Sequence, residues 1–81
     1  MSIDKQEILD TLYRHAREVL PALADHPFKQ GDSLKALGAN SVDRADIIMM
    51  TLESLSLEIS MVDLARAENI DALADIIHAK S

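Results

Sequence analysis

The sequence predicts an all-α fold: a four-helix bundle with a long first loop and a short third helix. Three observations carry this. Apolar residues recur at intervals of three and four in three stretches, with a briefer apolar cluster before the last of them. No segment alternates apolar and polar residues far enough to read as a strand. Both prolines (Pro21, Pro27) and both glycines (Gly31, Gly38) fall within residues 21–40, so the helix-breaking signals gather in one connection.

The first helix is expected over residues 3–20. Asp4 and Glu7 have the spacing of a capping box, and Ile8, Leu9, Leu12, Ala16 and Val19 share one face. Pro21 ends the helix or lies just past its end. Residues 21–40 then form a connection too long to be left loose in a small domain, so it should be functional or pinned to the core. Leu23, Phe28, Leu34 and Leu37 are the expected pins, with a short helical turn at Ser33–Leu37 stopped by Gly38.

The second helix should begin at Asn40–Ser41 and run to about Ser56. Asn and Ser are both good caps, and Asp43 puts a negative charge where the helix dipole favours it. Ala45, Ile48, Leu52 and Leu55 form the apolar stripe. At about 100° per residue, Met50, Asp43 and Asp46 then fall on the opposite side, with Met49 and Val42 on the flank nearer Glu53. Leu57–Ser60 is a break. A brief third helix starts at Ser60 or Met61 and runs through Val62, Leu64 and Ala65. Asn69 caps the last helix, whose inward face is Ile70, Leu73, Ile76 and Ile77. The whole chain, 1–81, reads as a single domain.

Composition narrows the function. A chain of 81 residues has room for one core and little room for a deep, water-excluded catalytic cavity. Presenting one reactive group is within its means. Tyr13 and Phe28 are the only aromatic residues, so the core must be aliphatic. The net charge is −6. Nucleic acid is disfavoured as a partner because its phosphates demand a cationic footprint, and basic protein surfaces are favoured instead. The acidity is uneven: residues 32–75 hold nine acids against three bases, whereas residues 1–31 hold five against four. Cysteine is absent, which excludes disulfides, zinc–thiolate sites and thiol nucleophiles. No apolar run is long enough for a membrane span, and the first residues lack the pattern of an export signal. A cytoplasmic, monomeric protein is the expectation.

Two serines stand out. Gly31-Asp32-Ser33-Leu34 matches a short motif found in a hydrolase family. A serine hydrolase needs a positioned base and an oxyanion hole, and nothing in the sequence directs His15, His26 or His78 to Ser33. Ser33 therefore reads as a polar cap on a short turn. Ser41 opens the longest amphipathic helix after the first, on a rigid element with unpaired N–H groups and a positive dipole end beside it. A phosphodiester is electrostatically favoured in such a place. On chemistry alone, the plainer reading of Ser41 as a second cap still has the advantage.

The stretch Ser33-Leu34-x-x-Leu37-Gly38-Ala39-Asn40-Ser41-Val42-Asp43 resembles the attachment region of acyl carrier proteins, where Leu-Gly and a polar residue precede the modified serine. The resemblance extends over essentially the whole chain. It implies that a phosphopantetheinyl transferase attaches 4'-phosphopantetheine from coenzyme A to Ser41, and that an acyl group rides on its thiol as a thioester. It also implies a carrier without catalytic activity of its own. Family members usually have Asp before the serine and Leu after it, where this chain has Asn40 and Val42. Asn keeps the capping ability and loses the charge, which weakens recognition by some transferases. The run Gly38–Met50 is similar to freestanding carriers of polyketide β-branching cassettes. That similarity implies an acetyl cargo, an acyltransferase or other loading enzyme, a decarboxylating ketosynthase-like enzyme and a partner resembling hydroxymethylglutaryl-CoA synthase.

The resemblance also makes the second helix the docking surface, with Asn40, Val42, Asp43, Arg44, Asp46, Met49, Met50 and Glu53 as its candidates. Asp43, Asp46 and Glu53 suit cations on a partner, and several such pairs steer encounter where one alone does little. Met50 is expected to be exposed; Met49 either fills a gap in the bundle or joins the face. Arg44 either deters unsuitable partners or is simply solvated. Carriers for fatty-acid or nonribosomal-peptide synthesis, and a helical adaptor with no covalent group, are the alternatives.

Overall fold

A computed structural model describes residues 3–29 and 31–81. It contains four α-helices, α1 (Lys5–Val19), α2 (Ser41–Ser54), α3 (Met61–Leu64) and α4 (Ile70–Lys80), with a 3-10 turn at Pro21–Leu23. Among the described residues there is no strand.

Local chemistry sets the bounds of α1. Asp4 is its N-cap, with an extended backbone, but its carboxylate makes no capping hydrogen bond, so the expected box with Glu7 does not form. Asp4 and Glu7 are exposed, and water can satisfy the free N–H groups of this first turn. At the other end Leu20 leaves the helical region (φ −120°, ψ 86°), as a residue before proline is pressed to do. Pro21 then opens the 3-10 turn, which the sequence pattern did not reveal.

The long connection is held at several points. Leu23 and Leu34 are buried as expected, Phe28 and Leu37 half-buried, and Ala39 is a further pin. Phe28 stacks on Tyr13 of α1 at 4.6 Å, and the Arg17 guanidinium lies 4.9 Å from its ring centre. Arg17 also donates to the His26 carbonyl at 3.1 Å. Both aromatic residues thus serve to clamp this connection to α1. Asp32 extends the tether: its carboxylate accepts from the Lys29 N–H at 2.9 Å and meets His26 Nε2 at 3.2 Å. Its carbonyl accepts from the Ile70 N–H at 2.8 Å, fixing the connection to the start of α4.

The core is aliphatic. Ile8, Leu12, Ile47, Leu64, Ile70 and Ile77 are fully buried, each contributing about 1.5–3 kcal/mol of burial free energy. α1 packs on α2 and α4, and α3 on α4. Lys5 bridges Asp71 and Asp75 of α4 at 2.9 and 2.8 Å, and the two carboxylates, Asp75 foremost, raise the lysine's pKa.

Two features of α2 differ from the sequence reading. Its buried residues are Ile47, Ile48, Thr51 and Leu52, while Ala45 and Leu55 are only half-buried. The cause is Thr51, whose hydroxyl donates to the Ile47 carbonyl at 2.7 Å and so hides its polarity within the helix. The buried sector is thereby turned by about 50° at 100° per residue. Met50, expected outside, is half-buried, and Met49 is the exposed methionine at 58%. The helix also stops two residues early, at Ser54. Ser56 adopts φ 55° and closes a Schellman motif, its N–H bonded to the Glu53 carbonyl and that of Leu57 to Leu52. In α4, Ala74 is buried and Ile76 only half-buried.

Candidate functional site

Ser41 is the first residue of α2 and is exposed. The elements on either side of it are built without its hydroxyl. Before it, the turn at residues 34–38 ends in a Schellman motif: Gly38, at φ 104°, bonds to the Lys35 carbonyl and Ala39 to the Leu34 carbonyl. After it, α2 is capped by a reciprocal box. Asp43 N–H donates to Asn40 Oδ1 at 2.8 Å, and Asn40 N–H donates to Asp43 Oδ2 at 3.3 Å. Asn40 therefore does the capping, which removes the plain reason for a serine at 41. Among the described residues the Ser41 hydroxyl has no hydrogen-bond partner, and the Ser41 and Val42 N–H groups at the positive helix end are open.

Of the eight candidate docking residues Met50 is half-buried, and six others divide into two groups. Asn40 and Asp43 are spent on the cap. Val42 (66% exposed), Asp46, Met49 and Glu53 face outward, and Val62 of α3, which the sequence placed only as a helix former, is 70% exposed. Leu64 is the buried residue of α3 and Met61 packs partly against the core, while Val62 projects outward. Beside Met49 and Glu53, an open groove of about 540 Å³ continues along Leu57, Glu58 and Met61. Arg44 belongs to neither group. Its guanidinium donates to the Ala39 carbonyl at 2.9 Å and lines a second cleft, of about 320 Å³, with Lys35, Leu34, Ile48 and Leu73.

Ser33 is a turn cap: its hydroxyl accepts from the Ala36 N–H at 3.3 Å. His15 is engaged with Glu18 and Ser54, His26 with Asp32, and His78 is exposed in the last turn of α4. None of the three supplies Ser33 with a base. Among the described residues no group of side chains is arranged to hold a metal ion, and no helix is long and apolar enough to cross a membrane.

The fold is a small helical bundle with an exposed serine at the head of its second helix. The chain belongs to the phosphopantetheine attachment site family, whose model matches residues 10–77, and its cofactor is covalent 4'-phosphopantetheine. It is 47% identical over 78 residues to a polyketide biosynthesis acyl-carrier protein, AcpK, of Bacillus subtilis (strain 168), an alignment covering 96% of this chain and 95% of that one. Its fold matches a chain in the crystal structure of the curacin biosynthetic pathway HMG synthase in complex with acetyl donor-ACP. There the TM-score is 0.91 and the identity 47%, over 96% of this chain and all of that one. The residues present fit the cofactor: the Ser41 hydroxyl is accessible and two backbone donors stand open beside it.

Proposed function

We propose that this chain, acting as one domain, is an acyl carrier of polyketide β-branching, with phosphopantetheine on Ser41 and an acetyl group as cargo. The observation that carries the site is the division of labour at the head of α2, where Asn40 and Asp43 cap the helix and Ser41 is left exposed. A phosphodiester at Ser41 would lie among the open N–H groups and the positive dipole end. When bound, the arm supplies a thiol for thioester formation. The protein's part is to hold that arm on a rigid element and to show partners a recognisable face. The similarity to a polyketide carrier and to a carrier crystallised with an HMG synthase supports the acetyl-donor role.

The partners follow from this reading: a phosphopantetheinyl transferase, a loading enzyme, a decarboxylating ketosynthase-like enzyme and an HMG-synthase-like enzyme, met in the cytoplasm. The carrier itself performs no catalysis, and it works as a monomer. The test is incubation with coenzyme A and a broad-specificity transferase, followed by intact-mass measurement. One phosphopantetheine should add to the protein and to Ser33→Ala, and none to Ser41→Ala. The opposite pattern overturns the assignment.

A further inference from the structure

His15 and Ser54 play no part at the head of α2, yet with Glu18 they form a chain of carboxylate, imidazole and hydroxyl. His15 Nε2 lies 2.8 Å from Ser54 Oγ, and Nδ1 lies 3.0 Å from Glu18 Oε2. Among the described residues no other hydroxyl meets an imidazole. Those of Thr11 and Thr51 donate to carbonyls of their own helices, and those of Ser33 and Ser60 accept from N–H groups of their own turns. His15 and Glu18 stand one turn apart on α1, so the helix and the packing around a nearly buried ring fix its direction. Ser54 is exposed in the last turn of α2.

A serine oxygen is activated by such an arrangement, in which a base lies within reach of the hydroxyl and a third group orients the base. With Nδ1–H given to Glu18, the neutral ring has its lone pair at Nε2, 2.8 Å from the serine oxygen and able to take its proton. One part of a hydrolase is missing. The N–H groups that follow Ser54 are engaged, Leu55 with Thr51, Ser56 with Glu53 and Leu57 with Leu52, so none of them is open to an oxyanion. Attack is therefore confined to donors with a good leaving group. A serine alkoxide is a far poorer one, so the ester stays once formed. Ser41 is remote: the 14 residues of α2, at 1.5 Å each, put about 20 Å between its ends.

We infer that Ser54 is an acylation site, where the hydroxyl takes one acyl group from a small activated ester or thioester, with His15 as general base and Glu18 as its positioning residue. Ser54 Oγ bonds to the carbonyl carbon while its proton passes to His15 Nε2. The bond from that carbon to the leaving oxygen or sulfur breaks, and the leaving group departs with the proton from Nε2. The products are an oxyester on Ser54 and a free phenol or thiol, formed once per chain without turnover. The acylated oxygen has no proton left to share, so modification also alters the contact between α1 and α2. The site does not depend on what Ser41 carries.

The test exposes the full chain, with Ser41 unmodified, to p-nitrophenyl acetate. The sequence has no cysteine, so lysines and the N-terminal amine are the chief competitors, and their amides resist hydroxylamine where a serine ester does not. Intact mass and peptide mapping should find one hydroxylamine-labile acetyl group, on Ser54, and none in Ser54→Ala. His15→Gln should slow its formation by about tenfold or more. Glu18→Gln, at an exposed position, should also slow it, while lysine acetylation in the same molecules keeps its rate. A label confined to hydroxylamine-stable positions overturns the inference, as does an ester spread evenly over several hydroxyls or a His15→Gln rate equal to the parent's. Where His15→Gln fails to fold, Glu18→Gln decides alone, and an unchanged rate there overturns the inference.

Discussion

His15 of α1 and Ser54, the last residue of α2, are joined by a 2.8 Å hydrogen bond between Nε2 and the serine hydroxyl. The other ring nitrogen lies 3.0 Å from Glu18, so the imidazole is satisfied on both sides although it is only 7% exposed. The carboxylate can only accept, so Nδ1–H donates to Glu18, and Nε2 meets the Ser54 hydroxyl. This ring is the polar tie between the two longest helices. His15→Ala should lower stability by about 1–3 kcal/mol through the lost hydrogen bonds and packing. Ser54→Ala should cost less, about 0.5–1.5 kcal/mol, because one bond is lost at an exposed edge. Thermal melts followed by circular dichroism check both values, and loading of Ser41 should be unaffected. A His15→Ala protein as stable as the parent would remove the tie from the account.

Two residues with positive φ should respond in opposite senses to substitution. Gly38 (φ 104°) closes the turn before the cap of α2, while Ser56 (φ 55°) does the same after its end with a side chain that this conformation disfavours. Gly38→Ala should destabilise the protein by about 1 kcal/mol or more even though a Cβ there meets nothing within 4 Å, since the conflict lies in the backbone. Ser56→Gly should stabilise it by roughly 0.5–1 kcal/mol. For a domain of this size each kcal/mol moves the midpoint by roughly 4–8 °C, so the two melts should lie on either side of the parent's.

The same pair shows where the sequence could be read and where it could not. Gly38 announced the end of its turn, because glycine is the usual residue for that conformation. Ser56 gave no such signal, and α2 was expected to run on to it. Apolar spacing found all four helices, and the cap residues Asn40, Ser60 and Asn69 all do what their types suggest. The face of α2 was misjudged because Thr51 is polar by type yet buried by virtue of its bond to Ile47. The neighbours of Ser41 single it out in the sequence, and the structure finds it exposed at the head of α2. What no spacing revealed is that Asn40 and Asp43 take over the cap entirely, or that Arg44 turns into a cleft. Both depend on side-chain rotation and on elements distant in sequence.

The tether at Asp32 predicts an acid-sensitive component of stability. The Lys29 N–H and then His26 hold the Asp32 carboxyl below its ordinary range. A group whose pKa is lower in the folded state contributes fully above its unfolded pKa, and that contribution fades as pH falls through the folded value. Asp32→Asn should therefore melt below the parent at neutral pH. The gap should narrow as pH falls below the normal carboxylate pKa of about 4. Melts at a series of pH values from 6 to about 2.5 check this. A gap that stays constant with pH would assign the effect to lost packing.

Partner recognition should follow the exposure found on α2 and not its apolar spacing. Met49, Val42 and Val62 present apolar surface beside the exposed acids Asp46 and Glu53. Met49→Ala should weaken binding to an HMG-synthase-like enzyme by about three- to tenfold, as truncation of a desolvated apolar contact does, with little change in melting temperature. Asp46→Lys should act differently, slowing association and weakening its salt dependence, because a rim charge chiefly steers encounter. Met50→Ala should instead lower the melting temperature slightly and leave affinity nearly unchanged, since that side chain is half-buried. Surface plasmon resonance at two salt concentrations, paired with melts of the same proteins, separates the three. If Met50→Ala weakened binding and Met49→Ala only lowered the melting temperature, the partner would be reading the opposite flank of α2.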